Sequence, residues 1–354
     1  MKNCVIVIPV LDPEESFFEY VKSLVSEEFL SVIIINDGSS EESAELFTQC
    51  AGLKSVRLLQ HVVNQGKGRA LKTAFDYILK NEELSQAEGV ITVDADGQHR
   101  LNDVIHICEE LRSRQETLIL GSRSFSGSQV PFKSRLGNTL TSKVFQLFYN
   151  RKLKDTQTGL RGLTLDILQY FVSLEGERFS YETNMLIEAV RKKMTISECT
   201  IETIYINDNQ GTHFRPLKDS LEIYWLLVKN FVAFMSVSLS SFLIDISLFQ
   251  VFILLLGILP SSRRILLATI IARAGSSLYN YLMNRSIVFK SKQSFKQTLF
   301  FYYALVAVEA LVSAYGVSLL FGLTGLRELY LKILTDACIF FVSYRIQKFL
   351  IFRD

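Results

Sequence analysis

The sequence predicts an α/β domain with a Rossmann-like, mainly parallel sheet, followed by an all-α membrane domain of four helices. Two observations predict it. Short β-branched runs alternate with helical patterns through the first ~215 residues. Beyond Trp225 the apolar residues gather into four long stretches.

In chain order, the strand candidates are residues 5–8, 32–35, 56–59, 90–93 and 118–120, and helix candidates lie at 15–25, 43–51, 70–80 and 104–112. In such sheets ligands bind beyond the carboxyl ends of the strands. Polar motifs stand at those ends: Pro9 and Asp12 after the first, Asn36-Asp37-Gly38-Ser39 after the second, Asp94-Ala95-Asp96 after the fourth.

After Thr212 the character changes. Residues 216–230 mix Leu217, Leu221, Tyr224, Trp225 and Val228 with Lys218, Asp219, Glu222 and Lys229, a pattern that fits an amphipathic helix in a membrane interface. Residues 135–149 place Leu136, Leu140, Val144, Leu147 and Phe148 on one side, which suits a second interface helix or a core-facing one equally. The four apolar stretches, near 231–256, 265–283, 299–321 and 329–351, are each long enough to cross ~30 Å of hydrocarbon. The expected domains are therefore 1–215, a linker helix at 216–230, and 231–354. Arg285, Lys290, Lys292 and Lys296 between the second and third stretches, with Arg345, Lys348 and Arg353 at the end, place both termini in the cytoplasm. Arg263 and Arg264 in the first outer loop oppose that orientation. The N-terminus shows no signal-peptide pattern, so the α/β domain is expected to be cytoplasmic and the chain a multi-pass protein of the cell membrane.

The membrane half also repeats itself. YNYLMNRSIVF (279–289) aligns with VSYRIQKFLIF (342–352), matching Tyr281 with Tyr344, Arg285 with Lys348 and Phe289 with Phe352. Each copy closes a two-helix hairpin on the same side, so the repeats are expected to be parallel. Asp245, Arg273, Glu309 and Asp336 fall inside the apolar stretches and should pair in the bundle interior. The repeat makes Arg273–Asp336 the first-choice pair, with Asp245 as the alternative partner of Arg273.

Composition sets limits. A formal charge of +2 excludes an electrostatically driven nucleic-acid binder. Hydrophobic residues make up 49% of the chain and the mean hydropathy is +0.23, consistent with a membrane-embedded half. Five scattered cysteines without a CxxC pair read as reduced structural thiols.

The sharpest chemical signal is Asp94-Ala95-Asp96-Gly97-Gln98-His99. Two carboxylates one residue apart at a strand end suit Mg2+ or Mn2+ bridging a diphosphate, and Asp94, Asp96 and Gln98 are the candidate ligands. His61, His99 and His106 read as surface or packing residues. Gly66-Lys67-Gly68 is a candidate phosphate cradle at a helix start, without the full P-loop pattern. Glu182 faces either the sugar or solvent.

Several motifs now stand in order: VIVIPVLDPEE, IIINDGSS, NQGKGRALKTAF, DADGQH, GSR at 121–123 and DTQTGLRG at 155–162. In this series the chain resembles the family 2 glycosyltransferases of GT-A fold, of the dolichyl- and polyprenyl-phosphate sugar synthase type, over residues 5–215. The last four spans resemble the GtrA-like module. Pro9, Asp12, Asp37, Gly38, Lys67, Gly68, Asp94 and Ala95 are then expected to hold the nucleotide-sugar. Asn36 stands where the family often has aspartate, which leaves Asp37 as the base contact. The resemblance makes Asp96, Arg123 and Arg135 the catalytic candidates, and Arg123, Arg135, His213 and Arg215 the acceptor-phosphate candidates.

What the resemblance implies is inverting transfer of a hexose from a nucleotide-sugar to polyprenyl phosphate at the cytoplasmic face, supplying a lipid-linked donor for cell-surface glycan. UDP-glucose is favoured; UDP-GlcNAc, UDP-galactose and GDP-mannose stay open. The acceptor is already a dianion near neutral pH, its second pKa lying near ~6, so it needs no general base. Besides these substrates the partners are the bilayer and, through the membrane domain, a second copy of the chain. Two alternatives stand: a processive polysaccharide synthase, which would carry QxxRW where this chain has its one tryptophan in IYWLL, and a lipid-sugar translocator.

Overall fold

The computed structural model describes residues 2–124, 132–202 and 215–353. The chain divides into two units, Met1–Leu227 and Val228–Asp354.

In the first unit seven strands form one sheet: β1 (Lys2–Val10), β2 (Phe29–Asp37), β3 (Val56–His61), β4 (Gly89–Thr92), β5 (Thr117–Arg123), β6 (Arg161–Thr164) and β7 (Thr195–Ile201). Their order is β3-β2-β1-β4-β6-β5-β7. β6 runs antiparallel to both its neighbours, and the other pairings are parallel. Residues 5–8 are fully buried, which is why β1 reads as an unbroken apolar run rather than an alternating one: both faces of a mainly parallel sheet are covered. The cover includes α1 (Ser16–Ser26), α2 (Ala44–Ala51), α3 (Lys67–Lys80), α4 (Leu101–Leu111), α5 (Phe132–Tyr149), α6 (Leu165–Val172) and α7 (Ser180–Arg191). The five foreseen strands are present. The sequence reading missed β6 and β7, because Arg161-Gly162-Leu163-Thr164 is too short and too polar to stand out, and β7 is a half-buried edge. The cysteines are free thiols, with Cys4, Cys50 and Cys108 buried.

The second unit contains the rest of α8 (Pro216–Leu255), then α9 (Ser261–Met283), α10 (Phe295–Thr324) and α11 (Glu328–Ile346). The expected linker helix at 216–230 is not a separate element. No glycine or proline interrupts the chain from Leu217 to Leu255, so interface pattern and apolar stretch run on as one helix of 40 residues. Among the described residues, Leu217–Leu255 and Phe295–Thr324 are long and apolar enough to cross a membrane.

The repeat has a structural counterpart. Both copies end in a π-helical turn, Asn284–Val288 and Gln347–Ile351, at equivalent positions. The turns meet reciprocally. Phe289 stacks on Phe352 with ring centres 5.4 Å apart, Tyr281 lies 5.8 Å from Phe352, and Tyr344 lies 5.9 Å from Phe289. Asn284 donates from Nδ2 to Gln347 Oε1 at 3.3 Å. The first-choice pair Arg273–Asp336 is not formed. Arg273 Nε lies 3.7 Å from Asp245 Oδ2, the alternative partner, and Asp336 takes Lys332 at 3.1 Å. The reason is local: Lys332 stands one turn before Asp336 on the same helix.

Candidate functional site at the strand ends

Five chain segments meet beyond the carboxyl ends of the central strands, around a cavity of about 200 Å³. The β1–α1 turn supplies Pro9 and Asp12, β2 supplies Asp37, α3 begins with Lys67, and β4 is followed by Asp94, Ala95 and Asp96. All seven were foreseen, and all seven line the cavity. Asn64, Arg178 and Phe179 line it as well and were not foreseen.

The loops are tied to one another through short polar side chains. Asp12 accepts from the Ser40 backbone N–H at 2.8 Å, and its own N–H donates to Ser39 Oγ at 2.9 Å. Asn36 Oδ1 accepts from the Ser39 N–H. Asp37 is nearly fully buried and acts as a joint. Its Oδ1 accepts from the Gln65 N–H at 3.0 Å and contacts His61 Nδ1 at 2.6 Å, while Oδ2 accepts from the Gly66 N–H at 2.7 Å. Backbone donors and a histidine therefore engage both oxygens, fixing the loop that leads into α3. His61 is a working part of this joint, bridging Asp37 to Thr73 Oγ1.

Gly38 and Gly68 do not line the cavity; they permit its walls. Gly38 has φ +74°, and a Cβ there would fall 2.4 Å from the Asn64 backbone nitrogen. A Cβ on Gly68 would meet Tyr181 Cβ at 2.5 Å, so the glycine lets the start of α3 close on α7.

The electrostatic centre is Lys67. Its Nζ lies 2.7 Å from Asp94 Oδ1 and 3.0 Å from Glu182 Oε1, and 5.8 Å from the centre of the Phe179 ring. Burial opposes the charge on Lys67, but the Asp94 and Glu182 carboxylates outweigh it and hold the ammonium above its ordinary range. Burial likewise opposes the charge on Asp94. The Lys67 charge and the His99 contact at 3.3 Å outweigh it, and the carboxyl falls well below the usual range. Asp96 stands at the mouth, where the surrounding walls and then the Asp94 charge raise its carboxyl above the ordinary value. A carboxylate in that position gains from a cation. Glu182 thus faces inward, and His99, expected as a surface or packing residue, is buried against Asp94.

The DTQTGLRG segment completes the floor. Gly159 passes so close that a Cβ on it would lie 2.2–2.5 Å from the Asp94 carboxylate, and its carbonyl accepts from Thr92 Oγ1 at 2.7 Å. Arg161 is buried beneath, donating from Nη1 to the Glu182 carbonyl at 2.7 Å.

The remaining candidates fall elsewhere. Gln98 does not line the cavity; its backbone N–H donates to Asp96 Oδ1 at 3.1 Å. Arg123 closes its fork on buried Asp155, Nε to Oδ2 at 2.6 Å and Nη2 to Oδ1 at 3.1 Å, so its bidentate face is spent on the protein. Arg135 lies on α5, where Leu136, Leu140 and Leu147 of the foreseen apolar side are exposed while Phe148, with Phe145, is buried. Arg215 donates from its N–H to Asp219 Oδ2 at 2.7 Å, and Asp219 also meets Arg178. His213 lies outside the described residues.

The donor set bears on a metal. Among the described residues no group of three or more His, Cys, Asp or Glu is placed to hold one. Two carboxylates, one of them raised and open to the cavity, fit a hard divalent cation that takes its other ligands from a diphosphate and water. They do not fit a cation held by protein alone.

Comparison with known proteins finds similarity in both halves of the chain. Residues 5–169 match the model of glycosyl transferase family 2, and residues 233–352 that of the GtrA/DPMS transmembrane domain. A UDP-N-acetylglucosamine–dolichyl-phosphate N-acetylglucosaminyltransferase of Methanococcus voltae is 25% identical over 217 residues, 56% of this chain and 85% of the relative. A dolichyl-phosphate beta-glucosyltransferase of Trichomonas vaginalis is 25% identical over 233 residues, 63% of this chain and 67% of the relative. An uncharacterised protein of Methanocaldococcus jannaschii is 26% identical over 204 residues, 56% and 81% respectively.

Proposed function

We propose that this chain, a family 2 glycosyltransferase domain joined to a GtrA/DPMS transmembrane domain, transfers a hexose from a nucleotide-sugar to polyprenyl phosphate at the cytoplasmic face of a membrane. The observation that carries the reading is the convergence of Asp12, Asp37, Lys67, Asp94 and Asp96 on one cavity at the strand ends. The relatives named for dolichyl-phosphate sugar transfer support the acceptor class. UDP-glucose is the first-choice donor, supported by relatives named as beta-glucosyltransferases.

The chemistry follows from charge. The acceptor phosphate attacks the anomeric carbon directly as a dianion, without a general base, and inverts its configuration. The difficulty is bringing two anions together. Asp94 and Asp96 would hold Mg2+ or Mn2+, which supplies charge neutralisation at the departing diphosphate. Lys67 keeps Asp94 ionised and aimed. Arg135 is assigned to the incoming phosphate, and Arg123 braces the DTQTGLRG floor through Asp155. Exposed Leu136, Leu140 and Leu147 on α5, with Leu217, Leu221 and Trp225 on α8, give the first unit apolar surface suited to a membrane interface. The helices of the second unit are read as spans with both termini cytoplasmic.

The test is direct. The full chain in nanodiscs is incubated with polyprenyl phosphate, a panel of UDP- and GDP-sugars, and magnesium or manganese. One donor should yield a lipid-linked monosaccharide whose anomeric configuration is opposite to that of the donor. Absence of lipid product with every donor and either metal would overturn the reading, and product without added metal would remove the cation.

A further inference from the structure

The helical unit gathers positive charge at the end where its two π turns meet. Residues 274–308 carry Arg285, Lys290, Lys292 and Lys296 and no aspartate or glutamate. Residues 337–352 add Arg345 and Lys348, again with no acidic residue. Phe289 against Phe352 and Asn284 against Gln347 bring the two stretches together. The loop that carries the lysines is held in place. The Ser291 N–H donates to the Arg285 carbonyl at 2.9 Å, and Arg285 Nη2 donates to the Gln293 carbonyl. The Arg285 guanidinium lies 5.4 Å from the centre of the Phe295 ring. Lys290, Lys292 and Lys296 are exposed around this frame.

From Lys296, at the start of α10, a groove of about 440 Å³ runs along the helix over Leu299, Phe300, Tyr303 and Ala304. Positions three, four, seven and eight residues on from Lys296 share one helix face. The Tyr303 hydroxyl meets Ser277 Oγ at 3.1 Å, so its polar tip is engaged by α9 and its ring is left as wall. Every outward face of a membrane helix meets acyl chains, so an apolar groove selects nothing by itself. The lysine at its head does select, because it joins the seat of a chain to a fixed charge at headgroup level. A zwitterionic headgroup brings its own ammonium towards this basic rim. An acidic headgroup brings a phosphodiester alone, and each basic residue near an anionic lipid surface strengthens the attraction about fivefold.

We propose that the groove below Lys296 is a site for an acidic glycerophospholipid. Lys296 and the neighbouring Lys292 hold its phosphodiester, and one acyl chain lies along Leu299, Phe300 and Ala304. The site requires the transmembrane domain to lie in a bilayer and does not rest on the transfer reaction.

The experiment uses the full chain in phosphatidylcholine nanodiscs with a minor share of phosphatidylglycerol that bears an acyl-chain diazirine. After photolysis the adducts are mapped by peptide mass spectrometry, and the same diazirine on phosphatidylcholine gives the comparison. Phosphatidylglycerol adducts should fall within residues 296–304 and exceed those of the phosphatidylcholine probe several-fold. Raising the salt should shrink that excess. Lys296→Gln should lower the adducts about fivefold. Ala304→Trp fills the groove while keeping every charge, and should lower them as well. Both side chains are exposed, so neither change disturbs packing. Arg327→Gln, in the loop at the other end of α10, should leave labelling unchanged. Equal labelling by the two probes would mean an ordinary lipid shell and overturn the proposal. So would undiminished adducts in Lys296→Gln or Ala304→Trp, or an equal fall in Arg327→Gln, which would point to net charge alone. Displacement of the probe by polyprenyl phosphate at lower concentration than by unlabelled phosphatidylglycerol would give the groove to a phosphate monoester. Cross-links between two copies through this face, in place of lipid adducts, would give it to a second chain. Either result overturns the phospholipid.

Discussion

The two units hold charge in opposite ways. At the strand ends, Lys67, Asp94 and Glu182 come from three distant segments and meet at 2.7–3.0 Å, with backbone N–H groups taking up the oxygens of Asp37. In the helical unit the contacts are local or loose: Lys332 to Asp336 one turn away, and Arg273 to Asp245 at 3.7 Å with the arginine side chain 75% exposed. The difference teaches what each architecture has to spend. Loops at the end of a sheet have unused backbone donors that can fix a carboxylate. Helices have none to spare, so serine hydroxyls take over, and Ser276 and Ser313 do for Asp245 and Asp336 what Gly66 and Gln65 do for Asp37.

The strongest attempt to break this contrast is Asp96→Ala. Losing several kcal/mol of charge stabilisation at the leaving diphosphate should cut transfer at least ~100-fold. The melting temperature should stay near wild type, since Asp96 is exposed at the cavity mouth. Near-normal turnover would remove the diphosphate from this cavity. Next comes Lys67→Met, which leaves Asp94 and Glu182 facing each other without a cation. Stability of the first unit should fall by ~3 kcal/mol, as for a buried pair that loses one partner, measured as the shift of its thermal transition.

Gly159→Ala should act on the same carboxylate by contact. The added Cβ overlaps Asp94, so a loss of ~1–3 kcal/mol and a clear fall in turnover are expected. Gly137→Ala on α5, where an added Cβ meets nothing within 4 Å, is the control and should leave both unchanged or slightly improved. The arginines give a smaller, sharper test in initial-rate kinetics. Arg123→Ala should raise KM for donor and acceptor together, because it frees Asp155, while Arg135→Ala should raise the acceptor KM alone; Lys at 135 should restore part of it. The smallest effect belongs to the helical unit. Arg273→Ala should cost no more than ~1 kcal/mol, the range of an exposed pair, and a larger loss of unit stability would show the pair to be tighter than its geometry.

Much of the first unit was legible because its central strands are unbroken apolar runs with their polar motifs placed after them. Asp94 and Asp96 could be found by spacing alone. The company they keep could not: Lys67 and Glu182 are 115 residues apart, and only the closure of α3 on α7, permitted by Gly68, brings them to Asp94. His99 and His61 read as surface or packing residues, and both are buried against aspartates. Arg178 gave no signal, belonging to no motif. In the helical unit the repeat was readable from Tyr281 and Tyr344, but equivalence under a repeat does not mean contact. Arg273 took the aspartate of the neighbouring helix and not its own counterpart.

The paired π turns have a consequence for ancestry. A π turn is a helix carrying one residue more than its hydrogen-bond ladder needs. Both copies carry that surplus at the same place, 284–288 and 347–351. One insertion before a duplication accounts for both copies, where independent origin needs two. The surplus has also become structural. Deleting one residue from 284–288 would swing Phe289 by about 100° around its helix, off the ring of Phe352 that it now stacks against. Neither copy can then shed its extra residue alone: the two halves of the helical unit have become each other's reason to keep it.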